Sequence, residues 1–128
     1  MFTLSQIQEA HKKVQSGADF PAYAGEIHAL GVTRYDVFVA DGHAVYLGNP
    51  EPIVAPAKYH TLIVAENVNS EKFITELRLH QSGGTDYMTF FRDCVACGIE
   101  KWTLNLEEKT CTYYDRKGKK NLVERFGE

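Results

Sequence analysis

At 128 residues the chain is sized for one domain, long enough to bury on the order of two-thirds of the surface its unfolded form exposes. A formal net charge of -3, with both signs spread along the chain, leaves no broad basic footprint for nucleic acid. The opening MFTLSQIQEAHKK lacks the apolar core of a secretory signal and no run of about 18 apolar residues occurs, so the expected protein is cytoplasmic with no membrane partner. Three cysteines without the spacing of a disulfide scaffold fit reduced thiols.

Leu4, Ile7 and Val14 mark a first helix, and Thr3 with Gln6 has the spacing of a capping box. The phrase QSGADFPAY at 15–23 turns the chain, with Asp19 placed to cap a second helix. Phe20, Tyr23, Ala24, Ile27 and Leu30 trace one face of that helix, and Gly31 supplies the left-handed residue that ends it. The period then changes to two. Tyr35, Val37 and Val39 alternate with Arg34, Asp36 and Phe38, and Asp41-Gly42 predicts a two-residue hairpin turn that returns through Tyr46. Prolines at 50, 52 and 56 exclude a central strand from NPEPIVAPA at 49–57. That segment is therefore a connector to a third strand, YHTLIVAE at 59–66.

The series then repeats. Gln15, Ser16 and Gly17 are answered by Gln81, Ser82 and Gly83 in QSGGTDYMTF. A third helix carries Phe73, Ile74 and Leu77 behind an Asn69 or Ser70 cap. A fourth opens at Asp86, shows Tyr87, Phe90, Phe91, Cys94 and Cys97 on one face, and ends at Gly98. Trp102, Leu104 and Leu106 alternate with Thr103, Asn105 and Glu107, and Glu108-Lys109 takes the turn before Tyr113. KNLVERF at 120–126 closes the unit, with the basic residues around Gly118 in a solvated turn. The predicted architecture is α+β: a tandem duplication of a two-helix, three-antiparallel-strand unit, about 1–66 and 67–128, with pseudo-twofold symmetry in a single domain.

The chemical motifs are few. Cys94-Val95-Ala96-Cys97 has redox spacing, but it ends a helix, where the dipole opposes a thiolate, so both residues are expected as buried packing groups. A zinc site would need further ligands that the spacing does not supply, and no metal or cofactor is expected. No serine sits in a nucleophile elbow and no glycine pattern matches a phosphate loop. Asp19 and Asp86 are expected to cap helices rather than act as an acid and base pair. Of five histidines, His43 beside the hairpin turn, with Asp36 and His60, could form a small polar site. Tyr35, Tyr46, Trp102 and Tyr113 share the helix-facing side of the sheet, Tyr46 across from Val37 and Tyr113 across from Leu104. They form a core whose polar tips find partners or, as the sharper alternative, a groove for a small planar ligand.

The whole chain, above all QSGADFPAY, LGVTRYDVFVADGHAVYLG and TDYMTFFRDCVACGIEKWTLNLEEKTCTYYD, resembles the bacterial domain-of-unknown-function family numbered 1398. Its members often carry the label "phage envelope protein". The resemblance implies a bacterial or prophage setting and brings no activity, cofactor or catalytic residue to these positions.

Two functional readings stand. The first is a non-catalytic binding or assembly module, a homodimer with a phage or host protein as a further partner. Phe38, Val45 and Leu47 make an apolar patch on the sheet face away from the helices, where the second unit shows Thr103, Asn105, Glu107, Thr110, Thr112 and Tyr114. A second copy would cover that patch, unless Ile53 and Val54 of the connector fold over it. The alternative is a small-molecule-binding protein or weak enzyme using Asp36, His43 and His60 with Tyr46 and Tyr113.

Overall fold

Thr3 begins the fold as its spacing requires. Its hydroxyl accepts the Gln6 N–H at 3.2 Å while the Gln6 side chain accepts the Thr3 N–H at 2.8 Å, so two of the free donors at the start of α1, Leu4–His11, are satisfied. The computed structural model describes residues 1–14 and 17–126. Gln15 and Ser16, the start of the first turn phrase, lie outside the described residues. A short 3-10 turn at Gly17–Asp19 leads directly into α2, Phe20–Leu30. Then come β1, Arg34–Phe38, β2, Ala44–Leu47, and β3, Ile53–Ala55. The second half holds α3, Ser70–Gln81, and α4, Tyr87–Ala96, followed by β4, Ile99–Asn105, β5, Thr110–Asp115, and β6, Lys120–Arg125.

The two aspartates of the turn phrases behave differently. Asp86 is extended (φ -83°, ψ 174°) and its carboxylate accepts the Thr89 N–H at 2.8 Å, the expected cap of α4. Asp19 corrects the expectation, because it makes no cap hydrogen bond to α2. The 3-10 turn before it leaves Asp19 already helical (φ -87°, ψ -5°) instead of in the extended conformation typical of a capping residue. Pro21 in the first turn needs no cap, having no N–H. Asn69 rather than Ser70 caps α3, accepting the Lys72 N–H at 3.1 Å. Gly31 and Gly98 end α2 and α4 with φ of 113° and 84°, the left-handed conformation that a side chain would resist.

The strands form one antiparallel sheet in the order β3-β2-β1-β4-β5-β6. β1 and β4 are its central pair, with Asp36 directly opposite Thr103. Tyr35, Val37, Trp102 and Leu104 face the helices, and one core joins them to Tyr23, Ala24 and Ile27 of α2, Phe73 and Leu77 of α3, and Phe90, Phe91 and Cys94 of α4. Ile74 is 38% exposed; His80, three residues beyond Leu77, takes the buried place on α3 instead.

Both hairpins are wider than predicted. Tyr46 lies opposite Tyr35, not Val37, and Tyr113 opposite Trp102, not Leu104. A two-residue type I′ turn needs positive φ at both central residues. Here Gly42 takes it at 77° while Asp41 does not, and the loop runs from 39 to 42; in the second hairpin Lys109 at 58° ends a loop from 106 to 109. The pairing slips by an even number of residues, so every side chain keeps its face and only its neighbour changes.

The third strand of the first half lies in the proline-rich segment, and 59–66 is irregular. Pro52 and Pro56 bracket the three residues of β3, which is an edge strand and tolerates prolines there. The segment after it bonds to the first hairpin loop. Lys58 N–H donates to the Asp41 carbonyl at 2.8 Å, Leu62 N–H to the Ala40 carbonyl at 2.6 Å, and the Tyr59 hydroxyl to the Val39 carbonyl.

Candidate functional site

Alternation along the strands points Tyr35, Val37, Ala44 and Tyr46 toward the helices from the first half, and Trp102, Leu104, Cys111 and Tyr113 from the second. Above them stand Tyr23 from α2, His80 from α3, Tyr87, Phe90 and Phe91 from α4, and His11 from the last turn of α1. The two layers do not close completely. Val37 and Ala44 reach less far from the sheet than their aromatic neighbours, and a cavity of about 280 Å³ remains between helices and sheet. Phe20 and Phe126, edge to face at 5.0 Å, and the exposed residues Lys58 and Arg125 contribute to its wall.

The wall is built from ring contacts. Tyr35 stacks on Tyr46 at 4.9 Å and Phe91 on Trp102 at 5.5 Å, the latter pair nearly parallel. Tyr87 lies between two histidines, 5.6 Å from His11 and 5.0 Å from His80. His80 also stacks on Phe90 at 4.2 Å, and its Nδ1 is 3.2 Å from the Thr85 carbonyl.

Loss of water governs the charge state of these groups. Burial pushes the phenols of Tyr23, Tyr35, Tyr46 and Tyr87 up, so all stay protonated at neutral pH. Burial, and then Lys58, push His11 down to about 4, and burial also lowers His80. Lys58 itself is lowered by the same loss of water. The hydroxyls of Tyr23 and Tyr46 meet at 3.2 Å. Tyr35, Tyr87 and the Trp102 indole N–H have no side-chain hydrogen-bond partner among the described residues.

The residues singled out in the sequence divide between the two faces of the sheet. Tyr46 and Tyr113 belong to the cavity wall. Asp36 and His43 face the other way. Asp36 accepts the Thr103 hydroxyl at 2.5 Å, and His43 stacks on Phe38 at 4.3 Å with its Nδ1 2.6 Å from Asp41. His60 is exposed in the irregular segment. The expected His, Asp and Tyr site is therefore not assembled, because strand alternation separates Asp36 from Tyr46 and the strand meant to carry His60 does not form.

Phe38, Val45 and Leu47 are half-buried on the outer face, and Val54 opposite Val45 joins them at 56% exposure. The connector does not provide the alternative cover for this patch: Ile53 packs on the core and β3 lengthens the sheet instead of folding over it.

His11, His80, Tyr23, Tyr87 and Lys58 were not singled out as site residues. Two of them had a signal, since His11 follows Ile7 by four positions and His80 follows Leu77 by three, both on buried helix faces. Cys94 and Cys97 are buried unpaired thiols at the end of α4, raised by desolvation, as expected of packing groups. Cys111 lines the cavity with its thiol pushed up to about 12. Among the described residues no group of three or more His, Cys, Asp and Glu could hold a metal ion, and no helix is long and apolar enough to cross a membrane.

These features define an α+β protein with a single antiparallel sheet and an aromatic cavity beneath its helices. Residues 8–125 match the family model described as "Protein of unknown function (DUF1398)", and the chain belongs to that family. No curated protein matches it.

Proposed function

We propose that the protein binds a small planar molecule in the cavity between its helices and sheet, as a receptor or carrier rather than as a catalyst. The observation that carries this reading is the cavity itself, about 280 Å³ walled mainly by aromatic rings. Small-molecule sites are typically apolar hollows of about 300–1,000 Å³ with a few polar groups converging on them, so this one suits a single or fused ring. A core of phenols normally pairs its hydroxyls. Tyr35 and Tyr87 have no such partner among the described residues, which favours an occupant over plain packing.

The test is an NMR titration of labelled protein with a mixed set of neutral, anionic and cationic aromatic fragments. Shifts gathered on Tyr23, Tyr46, Phe90, Trp102 and Leu104 support the reading. If no fragment perturbs them at millimolar concentration, the cavity is not a binding site.

The place of the cavity suits a tandem duplication, which belongs to the same proposal. Asp36 and Thr103 pair at the centre of the sheet, and each lies at the same step of its own helix-helix-strand series. Gly42 and Lys109 take the left-handed position in corresponding loops. A pseudo-twofold axis between Asp36 and Thr103 would put the cavity where the two units meet. A second reading, self-association into a homodimer through the outer face, is favoured by the exposed Val54 beside Val45.

A further inference from the structure

The polar groups of the cavity wall are mostly donors. The Lys58 ammonium and the Trp102 indole N–H can only donate, while the Tyr35 and Tyr87 phenols can donate or accept. None of the four side chains has a hydrogen-bond or ion-pair partner among the described residues. The acceptors nearby are mostly engaged. Glu124 is the one carboxylate of the described wall; Arg78 holds it at 2.7 Å, and Gln81 is 3.4 Å away. The hydroxyls of Tyr23 and Tyr46 bond each other. The imidazoles of His11 and His80 leave one or two acceptor nitrogens, fewer than the waiting donors.

The charges agree with this count. Lys58 is a cation in the wall, and the one carboxylate among the lining residues, Glu124, is already neutralised by Arg78; Asp19, whose charge reaches Tyr87, is engaged elsewhere, as is Arg125. Aromatic walls by themselves would also suit a cation held against ring faces. Lys58 opposes that occupant, and no unpaired negative charge in the described wall would hold it. The backbone at Lys58 is tethered beside the cavity, since its main-chain N–H is tied to the Asp41 carbonyl at 2.8 Å and the adjoining Tyr59 packs its ring 5.6 Å from Phe91.

We infer that the cavity is the site of a small planar aromatic carboxylate, with its ring among Tyr35, Tyr46, Phe91 and Trp102 and its carboxylate at Lys58. This rests on the cavity being a binding site and adds the class of its ligand. The ammonium supplies a charge-assisted bond to the carboxylate, and Trp102 or Tyr35 can donate to a further oxygen.

Trp102 is the single tryptophan of the chain, so quenching of its emission reports directly on the wall. Para-nitrobenzoate, para-nitrobenzamide and para-nitrobenzylamine offer nearly one shape with negative, neutral and positive charge. The acid is expected to quench saturably and to bind about tenfold more tightly than the amide, with the amine weakest. Lys58→Met should weaken the acid by about the same factor and leave the amide unchanged, while Lys58→Arg keeps most of the preference. Circular dichroism checks that the variants fold, and the wild-type ranking decides the matter if they do not. Equal binding of acid and amide, tightest binding of the amine, or an unchanged acid affinity in folded Lys58→Met overturns the carboxylate assignment and leaves the cavity reading intact. If none of the three quenches Trp102 and the fragment titration is also silent, both fall together.

Discussion

Tyr23 on α2 and Tyr46 on β2 bring their hydroxyls to 3.2 Å from one another, a direct polar tie between the helix layer and the sheet. Each hydroxyl is buried, so removing one strands the other in a place that water reaches poorly. Tyr46→Phe is expected to cost about 0.5–1.5 kcal/mol from the lost bond, with a further penalty for the orphaned Tyr23 hydroxyl. The double variant Tyr23→Phe with Tyr46→Phe should cost little more than either single change, since it leaves no orphan. Urea unfolding of the three variants measures this. Additive losses would mean that the two hydroxyls act independently.

The two turn aspartates give a sharper contrast than the sequence suggested. Asp86 caps α4 through the Thr89 N–H, and that bond holds its carboxyl below the usual range, whereas Asp19 bonds no amide of α2 as a cap. Asp86→Ala should lower the melting temperature by more than Asp19→Ala does at pH 7. The lowered pKa fixes the sign with pH: the cap's contribution is full above the ordinary aspartate value and is lost as pH falls through the folded one. The gap between wild type and Asp86→Ala should therefore narrow in acid, and a gap independent of pH would assign the loss to something other than the charged cap.

What the sequence made legible follows from what it encodes locally. The stripe from Phe90 to Cys97 and the alternation from Tyr35 to Val39 each state a period within a few residues, so helix faces and strand faces were readable. Hairpin register was not, because it turned on whether Asp41 joined Gly42 at positive φ, and the first loop is also bonded by Lys58 and Leu62 from a segment distant in the local pattern. The strand at 59–66 does not form: Tyr59, Leu62 and Val64 answer that loop and the core instead of a neighbouring strand, and Ile63 is left exposed. The cavity was only half visible. Its tyrosines and tryptophan could be placed on one face, but an empty volume depends on how far Val37 and Ala44 fall short of their neighbours, which no local pattern records.

His11 and His80 give the stability a pH dependence near neutrality. His11 is held down to about 4 by burial and then by Lys58, against an ordinary value of about 6.5. In that window the unfolded chain takes up a proton that the folded chain refuses, so stability falls as pH drops from about 6.5 toward 4 and is insensitive to this group above it. His80 acts in the same direction. Thermal melts between about pH 7.5 and 5.5 should show a declining midpoint, with a shallower decline in His11→Gln. A midpoint that rises on acidification across that window would contradict the neutral, desolvated state of both rings.

Cys94, Cys97 and Cys111 are buried and unpaired, and their thiols are raised by loss of water. A thiolate is the reactive form, so a small thiol reagent should leave Cys94 and Cys97, both fully buried away from solvent, unmodified in native protein over the time that labels them fully in denaturant. Mild oxidation should produce no bond between Cys94 and Cys97. Rapid native labelling, or that disulfide, would move the pair from packing to redox chemistry.

The outer face of the first half carries the last expectation. Val45 and Val54 lie opposite each other on β2 and β3, Leu47 continues the strip along β2, and Phe38 borders it on β1. Lys101 closes the strip toward the centre of the sheet, its ammonium 5.7 Å from the Phe38 ring and 5.1 Å from Tyr114. Beyond Lys101 the face turns polar with Thr103 and Thr112. An antiparallel sheet commonly offers water a polar face, and the apolar strip here is a patch that two copies can press against each other about a twofold axis. Wild-type protein is therefore expected to be dimeric by sedimentation at micromolar concentration, and Val45→Lys with Leu47→Lys should give a folded monomer, since the half-buried sites let a lysine reach solvent along its stem. Ligand binding in the cavity, on the opposite side of the sheet, should be unchanged in that monomer. A wild type that stays monomeric at high micromolar concentration would show that the strip is simply borne in water and that the assembly reading is wrong.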